Sequence, residues 1–299
     1  MVRLLLCLYM LLLAVPFPAE EPRDSDVLPE SEILLRPEEP TVRLQLPEMI
    51  ELQKLVQAQR WSDANPLAAR LAAKNPQDPR SYFWLGYVQL KQHDALAAMR
   101  SLRRAQTLGL RDPQLPITLG LAYYAIHQFI LFREQMQKAI QAAPHDAWPH
   151  YYLGFYAVAI TENYEEGLKH FGEALAREPN EFRFLSYHGF CQEILGTRDL
   201  ARRDYEAAIR LVEQRNARFR LPYQRMAVLL AETEPGIALQ FARKAAETEN
   251  ELSSNHLILA KLYEDQGKTP EAIHALKAAV QADPTLASPQ LPACYEFLS

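Results

Sequence analysis

The sequence predicts an all-α solenoid built from helical hairpins, and three observations carry that prediction. The stretch from Gln114 to Pro144, QLPITLGLAYYAIHQFILFREQMQKAIQAAP, can be laid on the sequence 34 residues before and after it, so that Leu119-Gly120 falls on Leu85-Gly86 and on Leu153-Gly154. A fixed period of that length marks stacked supersecondary units. Within each unit a small residue returns in register: Ala105, Ala139, and Ala174 after one inserted residue. Glycine is scarce, 10 residues in 299, while leucine and alanine dominate, as suits helices joined by short turns.

The physical logic of the unit follows from its residue types. Gly120 and Ala139 are small because the two antiparallel helices of one hairpin approach closely there. Leu119, Tyr123, Met136 and Ile140 recur at helical spacing and give each helix an apolar stripe. One hairpin cannot cover its own stripe, so its neighbour must. Pro144 ends the second helix because it offers no backbone donor and disfavours helix in the residue before it.

In chain order, residues 1–19, MVRLLLCLYMLLLAVPFPA, have an early cation at Arg3 and then an uncharged apolar run from Leu4 to Phe17. That layout is expected of a secretory signal peptide, and the run falls short of the roughly 20 residues a spanning helix needs. A retained N-terminal anchor is the alternative. Residues 20–46 are rich in Pro and Glu and are expected to form a disordered linker, interrupted by Val27-Leu28 and Ile33-Leu34-Leu35. These apolar patches either touch the first repeat incidentally or dock on the protein's own surface.

Six to seven units then cover residues 45–286, near 45–78, 79–112, 113–146, 147–181, 182–217, 221–250 and 253–285. The first is weak, with Leu52 in place of glycine and Pro66 early in its second helix. The second has Tyr82, Leu85-Gly86, Ala98, Leu102 and Ala105, with Gly109 as a helix stop and Pro113 opening the next. The fifth lacks a closing proline, so its second helix is expected to run to about Arg215. The sixth is the most degraded, with a shortened turn expected at Glu234-Pro235-Gly236; the seventh is clear again, through Leu259-Ala260, Tyr263, Gly267 and Pro284. Residues 287–299 form a proline-broken tail.

Composition bounds the function classes. The chain is 48% apolar and 23% charged, with a formal charge of -5, which argues against nucleic acid and anionic membrane as partners. No phosphate-binding glycine loop, Gly-x-Ser-x-Gly elbow or His-Glu-x-x-His occurs. Cys7, Cys191 and Cys294 show no metal spacing and no disulfide framework, and Cys191 is expected to be a small core residue. No catalytic residue, cofactor or metal is therefore expected, and Glu165-Glu166 is expected to be solvated charge.

The order of aromatic, Leu-Gly, Tyr, small residue, large apolar residue, Ala and Pro resembles the tetratricopeptide repeat family, over about four-fifths of the chain. That resemblance implies a right-handed superhelix in which first helices line a concave face. It places Phe83, Tyr87, Leu90, Ile117, Leu121, Tyr124, Tyr151, Phe155, Val158, Ser186, Phe190 and Glu193 at lining positions. The Lys, Arg and Asn that grip a peptide carboxylate in some members are absent. Phe83, Tyr87, Tyr124, Tyr151, Phe155 and Phe190 are thus the candidate partner-binding groove, suited to an apolar segment. The competing expectation is that aromatics at helical spacing are core.

A second candidate is an electrostatic patch including Arg202, Arg203, Arg210, Arg215 and Arg218. From Arg198 to Arg225, eight arginines face four acidic residues. The alternative is an ordinary solvated helix face. The expected function is a non-catalytic scaffold or adaptor that holds a protein or peptide partner, in an exported (periplasmic, envelope or secreted) setting. A membrane-tethered structural or assembly component, through an uncleaved leader, is the alternative; an enzyme-associated subunit comes third.

Overall fold

The computed structural model describes residues 47–248 and 253–283. Among them are fourteen α-helices and no strand: α1 (Pro47–Gln57), α2 (Trp61–Lys74), α3 (Pro79–Lys91), α4 (Ala95–Thr107), α5 (Gln114–Ala125), α6 (Phe129–Ala142), α7 (Trp148–Ala159), α8 (Tyr164–Arg177), α9 (Phe182–Ile194), α10 (Arg198–Gln214), α11 (Leu221–Leu230), α12 (Pro235–Thr248), α13 (Ser253–Asp265) and α14 (Thr269–Ala282). The fold is an all-α solenoid. The expected leader, linker and C-terminal tail, with Cys7 and Cys294, lie outside the described residues.

The chain forms two compact units that divide within α7, between Tyr156 and Ala157. In the first, α1 packs on α2, α3 on α4 and α5 on α6, and each pair packs on the next through α2 with α3 and α4 with α5. In the second, α9 packs on α10, α11 on α12 and α13 on α14, with α8 against α9, α10 against α11 and α12 against α13. Helices adjacent in sequence are therefore neighbours in space, as short connections require.

Three backbone devices repeat with the sequence period. Four first helices, α3, α5, α7 and α9, are opened by an acidic side chain that accepts from the backbone N–H two residues on: Asp78 from Arg80 at 3.0 Å, Asp112 from Gln114 at 2.8 Å, Asp146 from Trp148 at 3.0 Å and Glu181 from Arg183 at 3.3 Å. These caps satisfy donors that a helix start leaves open. The turn inside six of the seven hairpins holds one residue in the left-handed region: Gln59, His93, His127, Glu162, Gly196 and Gly267. All six turns close with a hydrogen bond from the residue after the left-handed one, as Arg60, Asp94, Gln128, Asn163, Thr197 and Lys268 donate to the carbonyls of Leu55, Gln89, Tyr123, Ala157, Gln192 and Tyr263. The close approach expected at the Leu-Gly pair is also present. A Cβ on Gly86 would meet Leu102 Cγ at 2.6 Å, one on Gly120 would collide with Met136, and one on Gly189 would meet Tyr205 at 3.0 Å.

The sixth hairpin corrects the expected turn at Glu234-Pro235-Gly236. Pro235 and Gly236 lie inside α12, and the connection is Ala231–Glu234 alone. Proline at the first helical position lacks only an N–H that would have no intrahelical partner there, so it opens this helix rather than breaking it. Pro66, by contrast, sits inside α2, with Ala64, Leu67, Ala68 and Leu71 buried around it. Helix α10 extends to Gln214, and its Arg215 cap donates back to Leu211 and Glu213.

Candidate protein-binding face

In the first unit the first helices α3 and α5 touch, and Tyr124 of α5 meets Phe155 of α7 with ring centroids 6.2 Å apart. One face of the unit is thus floored by first helices and carries the expected aromatic register. Trp61, Trp84 and Tyr87 form an edge-to-face chain, with centroids 6.4 and 5.8 Å apart. Such contacts add to simple area burial because ring edge meets ring face.

The candidate groove residues are mostly packed. Phe83, Tyr124, Tyr151, Phe155 and Phe190 are buried, and Tyr87 is half-buried. Tyr124 packs against Phe129, Phe132 and Phe155, and Tyr151 against Trp148 and Tyr152. Tyr87 therefore offers the most accessible ring of the set. Phe190 belongs to the second unit, where it contacts Tyr164 and lies under the Arg225 guanidinium at 5.3 Å.

Two polar groups give this face its chemistry. The Lys91 ammonium sits over the Tyr87 ring at 5.6 Å, and desolvation by burial pulls its pKa down to about 8. The Tyr124 hydroxyl is buried with no hydrogen-bond partner among the described residues. Burial pushes its pKa well above the ordinary phenol range, and Tyr156 adds to the effect. A buried donor without an acceptor is costly, and a carbonyl from a bound segment would relieve that cost. Sequence reading picked out Tyr87 and Tyr124 by register. It missed Lys91, whose signal was a lone cation one turn after an aromatic.

The second unit is joined by polar bridges. Arg225 of α11 makes a two-point pair with Glu193 of α9, whose Oε2 also accepts from the Tyr205 hydroxyl at 2.7 Å. Gln224 donates to Asn255 at 2.6 Å, and Asn255 in turn donates to the Ala245 carbonyl. Within the arginine patch, Arg202 pairs with Glu206 and Glu234, and Arg215 with Glu181. Arg203, Arg210 and Arg218 are exposed and have no ion pair among the described residues. The patch therefore splits into Arg202, which ties two hairpins together, Arg215, which closes its own hairpin, and three cations that face solvent.

Cys191 is free and buried in α9, and desolvation raises its thiol to about 12. His188 Nδ1 lies 2.7 Å from Asp204, joining α9 to α10. Among the described residues no group of three or more His, Cys, Asp or Glu side chains is placed to hold a metal ion. Among them, too, no helix is long and apolar enough to cross a membrane.

Comparison with known proteins bears on the fold. Two models described as tetratricopeptide repeat match residues 53–116 and 254–286. No curated protein matches the chain. Among solved structures, a chain of the APC/C hetero-tetramer Cut9-Hcn1 superposes with a TM-score of 0.70 at 13% identity, over 81% of this chain and 48% of that one. Yeast Tom70 superposes with a TM-score of 0.56 at 16% identity, over 80% of this chain and 58% of that one. MamA from Desulfovibrio magneticus RS-1 gives 0.49 at 18% identity, over 57% and 96%. This chain spans about half the length of the first two proteins, and at these identities the likeness is one of fold.

Proposed function

Since the chain belongs to the tetratricopeptide repeat family and is by class a protein-interaction scaffold, we propose that it is a non-catalytic adaptor holding an apolar partner segment on the first-helix face of residues 47–156. The observation that carries this reading is the pairing of a half-open ring with an unsatisfied donor. Tyr87, backed by Trp61 and Trp84, offers an anchor; Tyr124 offers a buried hydroxyl awaiting an acceptor. Aromatic anchors in desolvated surroundings dominate the energetics of most interfaces. Phe83, Tyr151 and Phe155 support the floor of the site, and Phe190 belongs to the second unit.

The setting we propose is export, on the leader-like arrangement of residues 1–19; tethering through an uncleaved leader is the second reading. N-terminal sequencing of the mature protein separates them, since cleavage removes Arg3 and leaves a terminus near Glu20. For the site, a photo-reactive phenylalanine analogue at Tyr87 is expected to capture one protein species in the native host. The same probe at exposed Gln137 is expected to capture none. Equal capture at both positions would remove the site.

A further inference from the structure

We propose that the outward face of α4 is a docking surface for the chain's own acidic segment around residues 30–39. Helix α4 reads ALAAMRSLRRAQT and contains no acidic residue. Arg100, Arg103 and Arg104 are exposed at spacings that place them on one side of the helix, and Leu96 beside them is 55% exposed. Arg111 extends the surface from the following loop. None of these four guanidinium groups has an ion pair among the described residues; Arg104 only overlies the Tyr82 ring at 5.8 Å.

In three other second helices a cation is neutralised by an acid of the same helix. Lys138 pairs with Glu134 in α6, Arg177 with Glu173 in α8 and Arg202 with Glu206 in α10, each one turn apart. Helix α4 has no acid with which to do so, and like charges one turn apart repel. The sequence leaves it short of anions.

The segment ESEILLRPEE supplies the complement: Glu30, Glu32, Glu38 and Glu39 surround Ile33-Leu34-Leu35. Across residues 20–46 there are eight acidic residues and three arginines, a charge of -5, whereas residues 47–156 hold twelve cations and eight acids, a charge of +4. An acidic arm with an aliphatic centre matches a basic face with an exposed leucine. Reach is sufficient. Residues 36–46 can span roughly 35–40 Å when extended, and only α2 and α3 come between α1 and α4 in a stack whose neighbouring axes are about 8–10 Å apart. Held at one end, the arm acts at a high effective concentration, so weak exposed pairs suffice.

The test places a photo-reactive phenylalanine analogue at Leu34 of the full chain, with adducts mapped by mass spectrometry. Intramolecular adducts to peptides spanning Leu96 to Arg111 are expected. The triple variant R100E, R103E, R104E should cut their yield about tenfold while leaving the thermal transition in place. Reversing Glu30, Glu32, Glu38 and Glu39 to Lys in that same chain should restore it. If the triple variant does not fold, 0.5 M salt on the native chain gives the same readout, because exposed pairs are screened there. Adducts mapping to Tyr87 and its neighbours, adducts between chains, or a yield indifferent to both reversal and salt would each overturn the proposal.

Discussion

The two compact units are built on the same hairpin and both pack rings between hairpins, but the second adds polar bridges to them. Between the hairpins of residues 47–156 the contacts are rings: Trp61 on Tyr87, Tyr124 on Phe155, and Phe132 on Tyr156. Between the hairpins of residues 157–283, rings (Phe171 on Tyr187, Tyr164 on Phe190) are joined by charges and amides: Arg225 on Glu193, Arg202 on Glu234 and Gln224 on Asn255. Net charge differs too, +4 against -4 by sequence. Aromatic seams tolerate salt and pH and leave rings available for a partner. Polar seams fix register, since a wrong neighbour strands a buried charge.

The largest effects expected from this contrast come from breaking each seam once. Phe132 is fully buried and packs on Tyr156 of the next hairpin, and Phe132→Ala should lower the stability of the first unit by about 3–5 kcal/mol with little dependence on salt. Glu193→Ala should cost about 3 kcal/mol in the second, because it leaves the Arg225 cation and the Tyr205 hydroxyl without their shared acceptor. Denaturant titrations monitored by hydrogen exchange in each unit would check that the losses are local. Global loss from either substitution would show that the units are not separable.

The next effect is in pH. With Lys91 drawn down to about 8 by burial, the folded chain releases a proton that the unfolded chain keeps up to about 10.4. The unfolded state binds more protons in that window, so stability should rise as pH increases from 8. Tyrosines oppose this above pH 10, where unfolded phenols ionise but the raised Tyr124 and Tyr223 do not. The rise is therefore read between 8 and 10, and Lys91→Met should flatten it.

The smallest effects lie in the turns. His93 and His127 hold left-handed backbone with φ of 63° and 57°, whereas Gly196 and Gly267 fill the same place without a side chain. His93→Gly or His127→Gly should stabilise by up to about 1 kcal/mol, and Gly196→Ala should destabilise by a similar amount. Calorimetric midpoints of the single variants would check the signs.

The fold was legible in the sequence because close helix approach admits few residue types. Leu85-Gly86 and Leu119-Gly120 recur wherever a larger side chain would collide with Leu102 or Met136. The acidic caps at Asp78, Asp112 and Asp146 repeat with the same period, but such residues are common in any turn and do not stand out by type. Pro235 misled, because proline marks a helix start as readily as a break. The site was legible only in register. Spacing placed Phe83, Tyr151 and Phe155 on the first helices, but spacing alone does not say which ring a neighbouring helix will cover. Nor does it reveal that Lys91 would be desolvated above Tyr87.

The most direct test of the central claim is hydrogen exchange on the full chain, with and without the protein captured at Tyr87. Protection concentrated in α3, α5 and α7 is the predicted result. Protection confined to α4 and α6, or found only beyond Tyr156, would contradict the account.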